Sequence, residues 1–129
     1  MRTNNTAVKY INNGVFNYVN QISIAQISDG TSNTIFIGET VAGDTPNQEN
    51  IWAFGERFAS SMRATEAPLN WPIGEFTPEG DRFGGMENFT NGAFGSEHGG
   101  GANFTFGDAH TSFISEDIDQ ALYLSLIHI

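Results

Sequence analysis

The stretch from Gly92 to Ile114, GAFGSEHGGGANFTFGDAHTSFI, constrains the fold more than any other part of the chain. Ala102, Phe104 and Phe106 alternate with Asn103 and Thr105, the period of a strand with one buried and one wet face. A turn at Gly107, Asp108 and Ala109 follows, then a second strand through Thr111, Phe113 and Ile114. With Asp108 and Ala109 as a two-residue loop, the antiparallel register sets Phe104 opposite Phe113, a favourable aromatic pair. A slip of one residue would turn one strand's aromatic set to the wet face, so the pairing is expected to be well specified.

The remaining elements are read around this hairpin. Gly14 to Phe16 is expected as a short strand, and Ile22 to Ile24 as another that passes into a helical turn at Ala25 to Ser28. Ser28-Asp29-Gly30-Thr31-Ser32-Asn33 contains nothing apolar and reads as a tight turn bonded through its own side chains. Thr34 to Ile37 is β-branched and aromatic, a strand expected to be central and covered on both faces, closed by Gly38-Glu39. Ile51 to Phe54 reads as a buried anchor strand. Residues 55–87 carry Pro68, Pro72 and Pro78 and read as a long connection, with one short helix near Arg57 to Ala64 and with Trp71 pinning the loop to the core. Ser115 is read as an N-cap, with Ile118, Leu122 and Leu126 on one apolar helical face. The fold class expected is α+β, dominated by an antiparallel β-sheet, in a single domain over residues 1–129.

Five Lys plus Arg against fifteen Asp plus Glu give a net charge of −10, which argues against a nucleic-acid surface and against contact with anionic membranes. The absence of cysteine removes disulfides, thiolate catalysis and Cys-based metal sites. No apolar run reaches the ~20 residues that a membrane helix needs.

The chemistry-bearing residues gather near His98. Nine residues separate His98 from Asp108, roughly 33 Å if extended, and the two can meet only if Gly99, Gly100 and Gly101 turn the chain back. Three readings compete. The preferred one is structural: the His98 imidazole bonds a neighbouring loop, for which the Asp29 to Asn33 turn is the candidate, and Asp108 shapes its own turn. A second uses Glu97, His98, Asp108 and His110 as metal ligands, although their spacing matches no closed site. A third sets Ser96 or Ser112 with His98 and Asp108 as a hydrolase triad, although FGSEH lacks the second glycine of a nucleophile elbow. Asp29, Thr31 and Asn33 imitate the start of a calcium loop, but the bidentate acid is missing and Glu39 stands one position early.

Two stretches, ISDGTSNTIFIGE from Ile27 to Glu39 and FGSEHGGGANFTFGDAHTSFISEDID from Phe94 to Asp119, together resemble the paired signatures of a prepilin-like family of unknown function, domain of unknown function 1559, which is expanded in planctomycete-type bacteria. NGVFNYVNQISIAQ ahead of the first stretch fits the same pattern. Members resemble type II secretion pseudopilins, with a cleaved N-terminal segment, a long apolar helix and a globular domain bearing a histidine, nine residues and Asp-Gly near the C-terminus. The departure here is Asp108-Ala109 in place of Asp-Gly, which requires a bulged or shifted turn. The resemblance marks Asp29, Gly30, Ser32, Asn33, Thr34, Glu39, His98, Gly100, Gly101, Asn103, Phe106 and Asp108 as structural signature residues. It implies a pseudopilin-like globular domain whose apolar N-terminal helix lies outside this sequence, and a final LSLIHI unlike the family's Gly-rich end. It further implies a non-enzymatic structural or surface-assembly subunit of the cell envelope, surface-associated or secreted, with no cofactor and no metal. Its partners would be other pilin-like subunits or envelope proteins met through that helix. The alternative is an extracellular ligand- or metal-binding module that uses the Asp29 loop, the His98 region and Trp52 or Trp71.

Overall fold

The computed structural model describes residues 14–17, 20–41, 63–72, 75, 92–127 and 129. Among these, the regular elements are a 3-10 turn at Ile24–Gln26, strands β1 (Ile35–Gly38), β2 (Gly101–Phe106) and β3 (Thr111–Ser115), and helix α1 (Gln120–Ser125). The three strands form one antiparallel sheet in the order β1-β2-β3. The expected α+β class and antiparallel sheet are therefore present. The anchor strand at Ile51 to Phe54, Trp52 and most of the expected helix at 57–64 lie outside the described residues. Arg63 and Ala64, its last two positions, are not helical.

The alternation in β2 does what the sequence asks of it. Ala102, Phe104 and Phe106 are buried and Asn103 and Thr105 only partly so. Phe104 is fully buried, with edge-on rings of Phe94 at 5.2 Å and Tyr123 at 6.1 Å, an arrangement that suits the aromatic quadrupoles. Ile35, Leu69 and Ile114 complete the buried cluster, and Ile118, Leu126 and Ile127 pack against it.

The hairpin register differs from the expected one. Phe104 lies opposite Ser112, and Phe113 lies opposite Asn103. The cause is the loop, which has three residues instead of two. Phe106 carbonyl accepts the Ala109 N–H at 2.9 Å, Ala109 takes φ +72°, and the His110 carbonyl accepts the Phe106 N–H at 3.0 Å. This is a type I turn followed by a bulge residue in the left-handed region. The additional loop residue sends Phe113 to the wet face, where it is 50% exposed.

Three other elements depart from expectation. Strand β1 is an edge of the described sheet, not its centre, and Ile37 is exposed, because a bulge between Ile35 and Ile37 breaks the alternation that would have buried it. Gly14 to Phe16 form a bend tied by the Asn17 side-chain amide to the Gly14 carbonyl at 2.8 Å. Ile22 to Ile24 are not a strand: Gln26 accepts the Ser23 N–H at 2.8 Å and returns its own N–H to the Ser23 carbonyl at 2.9 Å, which winds the 3-10 turn.

Helix α1 begins later than expected. Asp119 is the N-cap and accepts from the Ala121 and Leu122 N–H groups at 3.0 Å each, whereas Ser115 only stabilises the turn before it. The delayed start rotates the helix, so Tyr123 is buried and Leu122, assigned to the apolar face, is exposed. The helix crosses back under the sheet, and the Leu126 carbonyl accepts the Ile35 N–H at 2.7 Å.

Candidate functional site

The signature residues collect at the two ends of β2. At its start, β1 leaves the sheet at Glu39. The Glu39 N–H still donates to the Asn103 carbonyl at 3.2 Å, but the Asn103 N–H is taken by the Glu39 carboxylate, at 2.7 Å, in place of a backbone carbonyl. The Asn103 side-chain amide donates to the other carboxylate oxygen at 3.3 Å. The Glu39 carbonyl, freed from the ladder, accepts the Gly95 N–H at 3.0 Å and so holds the segment that leads into β2. Just before Glu39, Gly38 lies beneath aromatic rings: a Cβ there would stand 2.6 Å from both Phe104 and Phe94.

His98 and Ser96 approach the same carboxylate from the lead-in segment. His98 Nε2 is 3.5 Å from Glu39 Oε1, and the Ser96 hydroxyl accepts the His98 N–H at 3.2 Å. The Asn103 N–H, the Asn103 amide, the Ser96 hydroxyl and the His98 imidazole together hold the Glu39 carboxyl below the usual carboxylate range, although its partial burial acts the other way. Asn70 braces the segment from outside. In the left-handed conformation, with φ +60°, its side chain accepts the Ser96 N–H at 2.8 Å and donates to Glu116 at 2.8 Å. Nothing local in the sequence signals the contact of Asn70 with Glu116, whose positions are 46 residues apart.

An acid, a hydroxyl and an imidazole therefore do meet, but in the wrong order for nucleophilic catalysis. In a triad the histidine stands between hydroxyl and acid so that it can take the hydroxyl proton. Here Glu39 stands between them, and the His98 side chain is 62% exposed. Asp108, the acid assigned to His98 from sequence, is engaged elsewhere, and so the triad of Ser96 or Ser112 with His98 and Asp108 is not assembled. Nor does His98 reach the Asp29 turn; its partner is Glu39.

At the other end of β2, Asp108 and His110 form a local pair. Asp108 Oδ1 accepts the His110 N–H at 3.1 Å and stands 2.6 Å from His110 Nδ1. The His110 N–H first and its imidazole second keep the Asp108 carboxyl below the usual range. The His110 ring stacks on Phe106, with centroids 4.4 Å apart and planes 8° from parallel. Gly107 donates to the Thr34 carbonyl at 3.0 Å, which joins the hairpin tip to the Asp29 turn. In that turn Gly30 takes φ +83°, the Asn33 amide donates to the Asp29 carbonyl at 2.9 Å, and buried Thr34 donates to the Gly30 carbonyl at 3.1 Å. Ser32 is exposed. Gly100, at φ +82°, and Gly101, whose missing Cβ leaves room for the Ile114 carbonyl and the Phe113 ring, start β2. The triple glycine thus turns the lead-in segment onto Glu39, and does not bring His98 to Asp108.

Among the described residues no group of three or more His, Asp or Glu is placed to hold a metal ion, and Glu97, His98, Asp108 and His110 do not converge. Trp71 is half-buried, with an unpartnered indole N–H. A family model described as protein of unknown function (DUF1559) matches residues 2–121. No curated protein and no solved structure matches the chain.

Proposed function

We propose, from the premise that the chain belongs to the family described as protein of unknown function (DUF1559), that it is a non-enzymatic, prepilin-like subunit of a surface assembly in the cell envelope, surface-associated or secreted. It would work beside other pilin-like or envelope proteins. One observation carries this reading: the Glu39 carboxylate takes the Asn103 N–H and side-chain amide where β1 leaves the sheet, and stands between the Ser96 hydroxyl and the exposed His98 imidazole. Such a cluster serves as a joint, and a scaffold needs joints more than it needs a reactive centre.

Fractionation of cells that produce the protein tests the reading. Recovery in the envelope or in material sheared from the surface, cross-linked to other pilin-like proteins, is the expected result; recovery in the cytosol without such partners would sink it. Equilibrium dialysis against calcium and zinc is the complementary measurement. Stoichiometric binding lost in His98→Ala would replace the assembly role with a binding module.

A further inference from the structure

An apolar cavity of about 390 Å³ lies between the bend at residues 14–16, strand β1 and Phe94. The local backbone leaves this space. The bulge between Ile35 and Ile37 turns Ile37 outward, 64% exposed, where regular alternation would have buried it. Gly38, which also lines the cavity, cannot carry a side chain, because the Phe104 and Phe94 rings stand where its Cβ would be. Phe16 meets Phe36 edge-on, with centroids 5.7 Å apart, and is itself 60% exposed. Buried Phe94 and exposed Phe16 and Ile37 thus give the cavity an apolar wall that runs from the core to the surface.

Among the described residues that line the cavity, only Thr40 and Arg63 have polar side chains. Arg63 Nε–H donates to the Thr40 hydroxyl at 3.1 Å, which fixes the guanidinium at the apolar wall. That bond takes one of five donors, and a guanidinium can serve partners within the chain and a ligand carboxylate together. Arg63 is the one Lys or Arg among the described residues, and no described Asp or Glu lines the cavity. A cation beside apolar walls selects an anion with an apolar body. The net charge of −10 makes indiscriminate uptake of anions unfavourable, so binding of a carboxylate would report this one local cation.

We infer that the cavity binds a medium-chain fatty acid, with its carboxylate on Arg63 and its tail along Phe16, Ile37 and Phe94. The volume is at the small end of the ~300–1,000 Å³ typical of ligand sites, which suits one acyl chain better than a two-chain lipid. With only Thr40 and Arg63 to read polar groups, a simple monocarboxylate satisfies the site. The inference goes beyond the assembly role and does not rest on it; His98, the residue that tests the alternative to that role, does not line the cavity.

Titration calorimetry of the whole chain with decanoate, below the concentration at which it forms micelles, is the test. Saturable one-to-one binding is expected, with a Kd of about 1–100 μM. Decanol, which has the tail without the charge, and acetate, which has the charge without the tail, should each bind at least about tenfold more weakly. Arg63→Met keeps the apolar stem and is expected to weaken decanoate about tenfold or more while it leaves decanol unchanged. Phe16→Ala, at an exposed position, should weaken both, with an unchanged circular dichroism spectrum. Absence of saturable decanoate binding, binding at many equivalent sites, or equal affinity for decanol overturns the inference. So does decanoate binding indifferent to Phe16→Ala, a variant that keeps the test valid even if Arg63→Met does not fold; and so does binding indifferent to a folded Arg63→Met.

Discussion

The two ends of β2 are closed by different means. At the hairpin tip most of the closure is local: Phe106, Gly107, Asp108, Ala109 and His110 bond and stack within five consecutive positions, and Gly107 adds a bond to the distant Thr34 carbonyl. At the opposite end the closure is long-range, since the Glu39 carboxylate and the Asn103 N–H are 64 residues apart. Local closure tolerates an unfavourable residue, as Ala109 at positive φ shows. Long-range closure depends on shape, as the rings packed over Gly38 show.

Substitutions should expose this asymmetry. The largest effect is expected at Gly38→Ala, where the new methyl would collide with Phe104 and Phe94, held in the core; a loss of about 1–3 kcal/mol in a urea melt is expected. Glu39→Ala comes next, because it leaves the Asn103 N–H without its acceptor; about 1 kcal/mol is expected once solvent access is allowed for. Ala109→Gly should act in the opposite direction, with a gain of up to ~1 kcal/mol, since glycine adopts positive φ freely. A lowered thermal midpoint in that variant would contradict the bulged turn.

Acid should also separate the ends. Glu39 and Asp108 both have depressed pKa values in the folded state. Each therefore contributes stability that is present above its unfolded pKa and lost as pH falls through its folded pKa. The decline below the ordinary carboxylate range should become shallower in Glu39→Gln, measured by chemical denaturation at a series of pH values. Asp108→Asn should flatten it less, because the exposed tip is screened. The smallest change is expected for Tyr123→Phe, a core control that touches neither end. Its hydroxyl is buried without a partner, so thermal melting should show stability unchanged or slightly raised.

The same division explains what could be read from the sequence. The Ala102–Phe106 alternation and the Asp29–Asn33 turn were legible because their signals are short-range. The hairpin was placed correctly, and Asp108-Ala109 in place of Asp-Gly signalled a bulged or shifted turn, but the expected loop is one residue too short and the register was therefore missed. The start of α1 shifted because Ser115 and Asp119 are both good caps and only packing of Tyr123 decides between them. The Glu39–Asn103–His98 cluster was hidden for a stronger reason. The resemblance marked all three residues, but the replacement of a carbonyl by a carboxylate in a strand ladder leaves no periodic trace.

The Gly95 N–H bond to the Glu39 carbonyl has a consequence for how such a chain can diverge. Residues 40–94 leave and rejoin the sheet at this bond, and within them Leu69 in the core and Asn70 against Ser96 and Glu116 are further attachments. The entropy of closing so long a loop changes only slowly with its length. Insertions or deletions in the sequence on either side of residues 65–70 can therefore accumulate while the sheet keeps its register, so new surface can be grafted there without redesigning the base.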